Sequence, residues 1–466
     1  MDALVTAGAV RMGSRRALDV VNGALRRAEA MAELGVFIHL MHEHARKRAL
    51  EVDALVAANR NPGRLAGVPI AIKDNIAHAG HPLTAASRFL DGHTATYTAT
   101  ALRRLEAQGA IVIGRTNMDE FGMGSSGEYS SWGATRNPAN PERVPGGSSS
   151  GSAAAVAAGI VPIALGSDTG GSTRQPASFC GVVGLKPTYG RISRHGLIAF
   201  ASSLDQIGPL TRSIRDAAVA TAVMAGTDPL DSTSLQAPMN MPNIATPPSA
   251  KGLRIGMPRQ TWSEEMPVHA PLTECLRNLE SKGAVLVPLD LPALDTALPV
   301  YCVVSSAEAA SNLARFDGIR IGVCQTRDTV SDTVIASRTE GFGPEVQRRL
   351  LLGTYALSEG FSAQLYRRAN AARIALRSTI DRAFSSVDVI VTPTAPCAAF
   401  PMGSRIDDPL TMYQTDIFTV PPSLTGHPAL SVPAGTLDGM PIGLQLIGPN
   451  EDEAAILNLG MVITGR

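Results

Sequence analysis

Lysine is scarce in this chain. Of 41 Lys+Arg residues only Lys47, Lys73, Lys186, Lys251 and Lys282 are lysine. Arginine is the default cation, so a lysine retained in an apolar setting invites a chemical reason. Cysteine is scarcer than a disulfide framework needs. The five (Cys180, Cys275, Cys302, Cys324, Cys397) are odd in number, dispersed and without a C-x-x-C. They read as reduced thiols, which points to a cytoplasmic chain. Net charge is also lacking, with 41 acidic against 41 basic residues. No global positive field exists to grip nucleic acid, so any RNA must be held by a partner or a local patch. No apolar run approaches the roughly 18 residues of a membrane helix. The first twenty residues carry charges before any sustained apolar core, which argues against a secretory signal. A P-loop and a strand–G-x-G-x-x-G–helix unit are both missing, so the chain itself should bind no ATP. His39, His42 and His44 sit in a helical stretch with no acidic or cysteine companions. They read as surface residues, and no metal is expected.

What is present suits an α/β enzyme: 44% hydrophobic residues, 44 glycines and only 18% charged residues. Residues 1–60 read as an N-terminal helical part. Ser14 can cap a helix in which Ala17, Val20, Val21, Ala24, Leu25 and Ala28 share a face, and a second helix covers Glu43 to Ala58. Strand signals then appear at Val68–Ile72 and Ala110–Ile113, with a helix over Thr98–Gln108 between them. A small-residue helix over Ser152–Gly159 precedes a buried strand at Val161–Leu165. Residues 228–250, rich in Pro, Ser and Thr, read as a loop excursion within one domain. Strands resume at Leu253–Gly256 and Ala284–Val287, Gly343–Phe384 is largely helical, and Val387–Val391 is again a strand. Asp438-Gly439 is a hairpin turn dipeptide between Ala429–Val432 and Ile442–Ile447. The alternation predicts one domain over residues 1–466, a central mixed sheet with helices on both faces.

Two serine-bearing glycine loops carry the chemistry. They are Pro145-Gly146-Gly147-Ser148-Ser149-Ser150-Gly151-Ser152 and Gly166-Ser167-Asp168-Thr169-Gly170-Gly171-Ser172-Thr173-Arg174. Taken singly each could be a flexible linker. Glycines let such a loop turn several N–H groups inward as a nest for an oxyanion. A serine there needs a base. Lys73 follows the apolar run Val68–Ile72. Desolvation would lower its pKa and free its amine to take a proton, which an arginine could not do. The same loop also fits a G-x-S-x-G elbow with Ser149 as nucleophile and His427 as a distant base, although no strand directly precedes it.

The two glycine/serine loops, the spacing from Lys73 to Ser148 to Ser172, and Phe179-Cys180-Gly181-Val182-Val183-Gly184-Leu185-Lys186-Pro187-Thr188 resemble the amidase signature family. The resemblance implies the amidase signature α/β fold. It implies a Ser–cis-Ser–Lys triad in which Ser172 is acylated, Ser148 bridges after a cis peptide, and Lys73 is the base. Backbone N–H groups of Thr169, Gly170 and Gly171 would form the oxyanion hole. Further segments are Asn117 to Ser126, Asn312 to Gly318, Glu340 to Gly343 and Asp408 to Tyr413. These are similar to the branch formed by A subunits of glutamyl-tRNA(Gln)/aspartyl-tRNA(Asn) amidotransferases, with similarity from about Ala17 to Gly448.

That branch implies glutamine as substrate, with Arg349 on its α-carboxylate, Asp416 on its α-amine and Tyr301 nearby. Arg348 is the neighbouring alternative to Arg349. The resemblance further implies no cofactor in this chain, two partner subunits in a heterotrimer, ATP and Mg²⁺ in a partner, tRNA held mainly by that partner, and no membrane. Departures from the pattern are Ser150 in place of the common glycine, the wording of Pro422 to His427, and Ile456 to Arg466, where a longer final helix is expected. Two other readings stay open: a stand-alone amidase for another small amide, and an inactive scaffold protein, against which the intact Lys73/Ser148/Ser172 set argues.

Overall fold

The apolar runs become strands of one large sheet. The computed structural model describes residues 2–242, 248–358 and 361–465. Its strands are β1 (Phe37–Leu40), β2 (Pro69–Lys73), β3 (Ile111–Thr116), β4 (Ile163–Asp168), β5 (Val183–Lys186), β6 (Gln206–Thr211), β7 (Arg254–Pro258), β8 (Val285–Leu289), β9 (Val389–Pro393), β10 (Ala429–Leu437) and β11 (Met440–Ile447). They form an 11-stranded sheet in the order β1-β3-β2-β4-β6-β5-β10-β11-β9-β7-β8. Two parallel wings, β3-β2-β4 and β9-β7-β8, are joined by an antiparallel centre from β4 through β6, β5, β10 and β11 to β9. The mixed sheet anticipated from the sequence is present.

β2 lies between two parallel neighbours, and every residue in it is buried. Burial on both faces explains its unbroken apolar run. Strand alternation still sorts the side chains. Ile70 and Ile72 join the cluster of Leu102, Leu105 and Val112 on one face. Ala71 joins the opposite cluster, with Ala153–Ala155 of the small-residue helix Ser150–Ala157. Lys73 is two residues beyond Ala71, so it leaves the sheet on the face of that helix. The run of small side chains lets the helix approach closely enough to bring its N-terminal loop onto the lysine.

The expected helices form at Ala17–Ala30, His42–Ala57, Thr100–Ala107, Pro344–Leu357 and Phe361–Ala383. Residues 243–247 of the excursion and 359–360 of the long helical stretch lie outside the described residues. Asp438 and Gly439 both take positive φ, 50° and 76°, as a tight hairpin turn between β10 and β11 requires. The end of the chain carries a helix at Glu453–Thr464. The five cysteines are free thiols, and among the described residues no helix is long and apolar enough to cross a membrane.

Three sequence readings are corrected. Ser14 does not cap the helix Ala17–Ala30; Asp53 of the next helix accepts the N–H groups of Ala17 at 2.6 Å and Leu18 at 3.2 Å. The cap is long-range, beyond any local signal. Residues 1–60 are not purely helical, because the short β1 pairs antiparallel with β3 at the sheet edge. The three histidines do not behave alike. His39 is exposed, whereas the His44 ring packs against those of His78 and His81. Two residues apart on a helix, His42 and His44 point about 200° apart around the axis.

The six apolar residues Ala17, Val20, Val21, Ala24, Leu25 and Ala28 are all buried. The amphipathic face is therefore the one the periodicity predicts, and its start is what Asp53 secures. Asp53→Ala is expected to cost about 1 kcal/mol, read as a lower urea midpoint, while Ser14→Ala leaves the midpoint unchanged. Equal effects of the two substitutions would overturn the assignment of the cap.

Candidate active site

Lys73 is the last residue of β2 and is fully buried. Its Nζ lies 2.7 Å from Ser148 Oγ, 2.9 Å from Ser149 Oγ and 3.3 Å from the Ser167 carbonyl oxygen. Burial brings its pKa down from the ordinary 10.5 to about 7, against the pull of Asp119, Asp168 and Asp205. Lys186 is also buried and also drawn to about 7. Its Nζ, however, donates to the Pro187 carbonyl. Scarcity alone therefore does not separate the two lysines; contact with two serine hydroxyls distinguishes Lys73.

The peptide bond between Gly147 and Ser148 is cis. Gly147 is crowded: a β-carbon there would meet Asp119 Oδ2 at 2.0 Å. Its N–H donates to Gln175 Oε1 at 3.0 Å, and Gln175 Nε2 donates to the Ser125 carbonyl at 2.9 Å. Ser149 donates its N–H to the Ser172 carbonyl at 3.1 Å, which lays the two serine loops side by side.

The Ser172 loop leaves the carboxyl end of β4, the strand next to β2, so both loops emerge where ligand sites in α/β sheets gather. Asp168, the last residue of β4, organises it. Its carboxylate accepts from Gly171 N at 2.9 Å, Thr173 N at 3.1 Å, Arg174 Nε at 2.9 Å and Arg174 Nη2 at 2.8 Å. Burial would raise Asp168, yet the Arg174 guanidinium holds it below the usual carboxylate range. Arg174 also donates to the Thr419 carbonyl, Gln445 Oε1 and Ser423 Oγ. Thr169 Oγ1 donates to Asp205 at 2.6 Å. Of the three N–H groups expected to face an oxyanion, that of Gly171 is thus already engaged by Asp168.

Tyr301, Arg349 and Asp416 come from three distant segments and line one small cleft, with Ser305, Ser306 and Tyr413. The cleft adjoins the Ser172 loop, because a β-carbon on Gly170 would meet the Tyr301 ring at 2.5 Å. Burial pushes Asp416 up to about 7, opposed by Ser125 and Arg349. Ser125 Oγ donates to Asp416 Oδ2, while the buried Oδ1 has no hydrogen-bond partner among the described residues. Arg349 Nε donates to Glu345 Oε1 at 2.7 Å, and its guanidinium sits 4.9 Å from the Tyr413 ring centroid. Arg348, by contrast, has a side chain 39% exposed, and it is Arg349 that lines the cleft.

The elbow reading finds no support in the geometry. Ser149 Oγ is tied to Lys73 and the Ser167 backbone, and His427 bonds to Thr425 and Asp381. Sequence reasoning passes over Asp168 and Arg174 as a pair, Glu345, Gln175 and Ser125. Asp168 and Arg174 stand inside the glycine/serine motif, and their six-residue separation across a glycine loop is the available signal.

The family model described as Amidase matches residues 19–457. The chain is 48% identical over 457 residues to the glutamyl-tRNA(Gln) amidotransferase A subunit of Chloroflexus aurantiacus, covering 97% of this chain and 93% of that one. It is 49% identical to the corresponding protein of Geobacillus thermodenitrificans, covering 94% and 91%. Among solved structures, the glutamyl-tRNA(Gln) amidotransferase A subunit of Thermotoga maritima superposes with a TM-score of 0.80 at 37% identity, over 96% of this chain and 91% of that one. The peptide amidase of Stenotrophomonas maltophilia superposes with 0.85 at 29% identity, over 100% and 96%. A match from residue 19 to 457, running through both serine loops and the lysine strand, makes the chain a member of the amidase family.

Proposed function

We propose that this chain hydrolyses the side-chain amide of glutamine with Ser172 as nucleophile, and supplies the ammonia to a tRNA-dependent amidotransferase. The observation that carries the chemistry is the contact of the buried Lys73 amine with Ser148. A neutral amine has two N–H groups and one lone pair, and Nζ faces three oxygens. The Ser167 carbonyl can only accept. Ser149 Oγ lies 3.2 Å from that same carbonyl, where its hydrogen is used. The lone pair is left to the Ser148 hydroxyl.

Ser172 Oγ then attacks the amide carbon as its proton passes to Ser148 and the Ser148 proton passes to Lys73. Gly171 gives its N–H to Asp168, which leaves the Thr169 and Gly170 N–H groups for the oxyanion. Collapse breaks the C–N bond, Lys73 returns the proton through Ser148, and ammonia leaves. Water attacks the acyl-enzyme by the reverse relay and releases glutamate.

Glutamine is favoured because it is a zwitterion. Arg349 suits its carboxylate, and the open Oδ1 of Asp416 suits its ammonium. In this reading two further subunits complete a cytoplasmic heterotrimer. One of them holds ATP, Mg²⁺ and the misacylated tRNA, and the ammonia converts Glu-tRNA(Gln) to Gln-tRNA(Gln), Asp-tRNA(Asn) to Asn-tRNA(Asn), or both. A chain with no net charge need not grip tRNA itself.

Ammonia release is the readout. Ser172→Ala and Lys73→Ala are each expected to lose about 10³-fold or more in kcat, and Lys73→Arg to be no better than Lys73→Ala, since arginine keeps its proton. Retained hydrolysis in Ser172→Ala would refute the mechanism. Release that is indifferent to partner subunits, ATP and tRNA, together with full activity on unrelated amides, would favour a free-standing amidase.

Arg349→Ala should raise KM for glutamine about 100-fold and leave kcat less affected, while Arg348→Ala changes KM less than about threefold. The reverse ranking would move the carboxylate site to Arg348.

The pH profile has a definite sign. Lys73, drawn to about 7, accepts a proton only above that pH, and Asp416, pushed to about 7, is anionic only above it. The value of kcat/KM should therefore fall as pH drops through 7, steeply because two groups protonate together. Asp416→Asn should raise KM and leave a shallower acid limb due to Lys73 alone. A flat profile from pH 6 to about 8 in the wild type would contradict both assignments.

A further inference from the structure

Away from the serine loops, three histidines from two distant segments converge. His44 lies in the first turn of the helix His42–Ala57. His78 and His81 lie on the loop that follows β2, five and eight residues beyond Lys73. Their ring centroids are separated by 4.9 Å for His44 and His78, 4.8 Å for His44 and His81, and 4.5 Å for His78 and His81. The His44 ring stands nearly perpendicular to the other two, at 88° and 84°. One nitrogen from each ring lies within 4.8 Å of the others.

We propose that His44, His78 and His81 form a binding site for one divalent transition-metal ion of the zinc type, unrelated to the amide chemistry. Three imidazoles around a tetrahedral ion at about 2.0–2.1 Å place their ring centres about 5 Å apart, close to what the rings already show. A purely hydrogen-bonded cluster accounts for the group less well. Two of the rings then share one carboxylate, Glu106, whose Oε1 is 3.3 Å from His78 Nε2 and 3.8 Å from His44 Nε2. His78 is 4% exposed, yet its Nδ1 is buried with no hydrogen-bond partner among the described residues, while His44 Nε2 faces only Glu106, at 3.8 Å. A buried ring nitrogen without a hydrogen-bond partner, as at His78 Nδ1, has a lone pair available to a cation.

Glu106 has a natural part in this arrangement. A carboxylate on the far nitrogen of a ligating histidine fixes the ring and its tautomer. With Glu106 beside His78 Nε2, the orphaned Nδ1 becomes the donor. The loop is already shaped for the task. His81 N–H donates to the His78 carbonyl at 3.1 Å, Gly80 N–H to Ala95 at 2.8 Å, and Ala95 N–H to the His81 carbonyl at 3.0 Å. A bound ion would tie the helix His42–Ala57 to the loop that continues from the Lys73 strand. Its role would be structural.

The test uses the untagged full-length chain, stripped with chelator and titrated with Zn²⁺ or Co²⁺ alone. One equivalent of zinc should survive gel filtration, Co²⁺ should give visible d–d absorption with imidazole ligation, and Tm should rise by about 2–4 °C on metal addition. His81→Gln sits on a partly exposed loop and should fold, shown by unchanged ammonia release, while losing at least about 10-fold in metal affinity. Glu106→Gln should lose about 10-fold. His42→Gln, whose ring lies beside Glu29 rather than the cluster, should bind as the wild type does. Failure of the wild type to retain zinc, or a His81→Gln protein that binds as tightly as the wild type, would overturn the site and leave a hydrogen-bonded histidine cluster. Neither result bears on the glutamine reading, which has its own readout.

Discussion

An amine held away from water among three oxygens is the constraint on which the rest of the site depends. Transferring an ammonium into a dry interior costs several kcal/mol, and the cheaper response is to give up the proton. Lys73 makes that response at about neutral pH, because the carboxylates that would keep it charged act from a distance and its direct partners are hydroxyls and a carbonyl. A carboxylate in place of Ser149 would restore the ammonium and remove the lone pair that the proposed mechanism needs. The choice of serine over aspartate at the direct contacts is thus as consequential as the lysine itself. The sheet contributes the remaining requirement. Alternation along β2 puts Lys73 on the face of the small-residue helix, whose Ser, Gly and Ala residues, with a single Val, let it pack close and bring Ser148 and Ser149 to the lysine.

The Ser172 loop obeys a second, coupled constraint. Asp168 and Arg174 are both fully buried and bind each other through two hydrogen bonds. Removing either partner would strand a charge, at a cost of about 3–5 kcal/mol. The pair does more than stabilise. Asp168 takes the N–H groups of Gly171 and Thr173, and Arg174 reaches the carbonyl of Thr419 and the side chain of Gln445 on β11. The loop carrying Ser172 is therefore fastened to β4 at one end and to the centre of the sheet at the other. It cannot relax away from Ser148. Gly170 and Gly171 are glycines for a related reason: the Tyr301 ring and Thr419 already occupy the space where their β-carbons would stand.

How much of this could be read from the sequence depends on the range of the interaction. The Lys73 strand, the two serine loops and the hairpin at Asp438-Gly439 announce themselves locally, through an apolar run, glycine spacing and a turn dipeptide. The short strands β1, β5 and β6 do not. β5 hides inside a glycine-rich motif, and β6 is interrupted by Gly208 and Pro209. Helix capping by Asp53 across 36 residues leaves no local trace. Neither does the engagement of Gly171 by Asp168, which removes one expected oxyanion donor. The histidines illustrate the limit best. His39, His42 and His44 look like one group because they are neighbours in sequence. The fold separates them and joins His44 to His78 and His81 instead.

The cleft of Tyr301, Arg349 and Asp416 shows the same physics as the lysine, with the sign reversed. Burial raises Asp416 to about 7, so near neutral pH about half of the unliganded sites hold a neutral acid. A substrate with an α-ammonium supplies the charge that makes the carboxylate form favourable, and binding then draws the proton out of the site. An uncharged amide supplies nothing, and Asp416 remains free to stay protonated at little cost. Selectivity in the proposed reaction thus arises less from rejecting the wrong amide than from a carboxylate whose ionisation is completed by the right one. Arg349 stands across the cleft with Glu345 already on its Nε, which holds the guanidinium in place before any ligand arrives. A guanidinium fixed in advance and a carboxylate whose charge is completed on binding suit the two charged groups that the proposed substrate carries on its α-carbon, and Tyr301, which lines the same cleft, closes against Gly170 in the loop of Ser172.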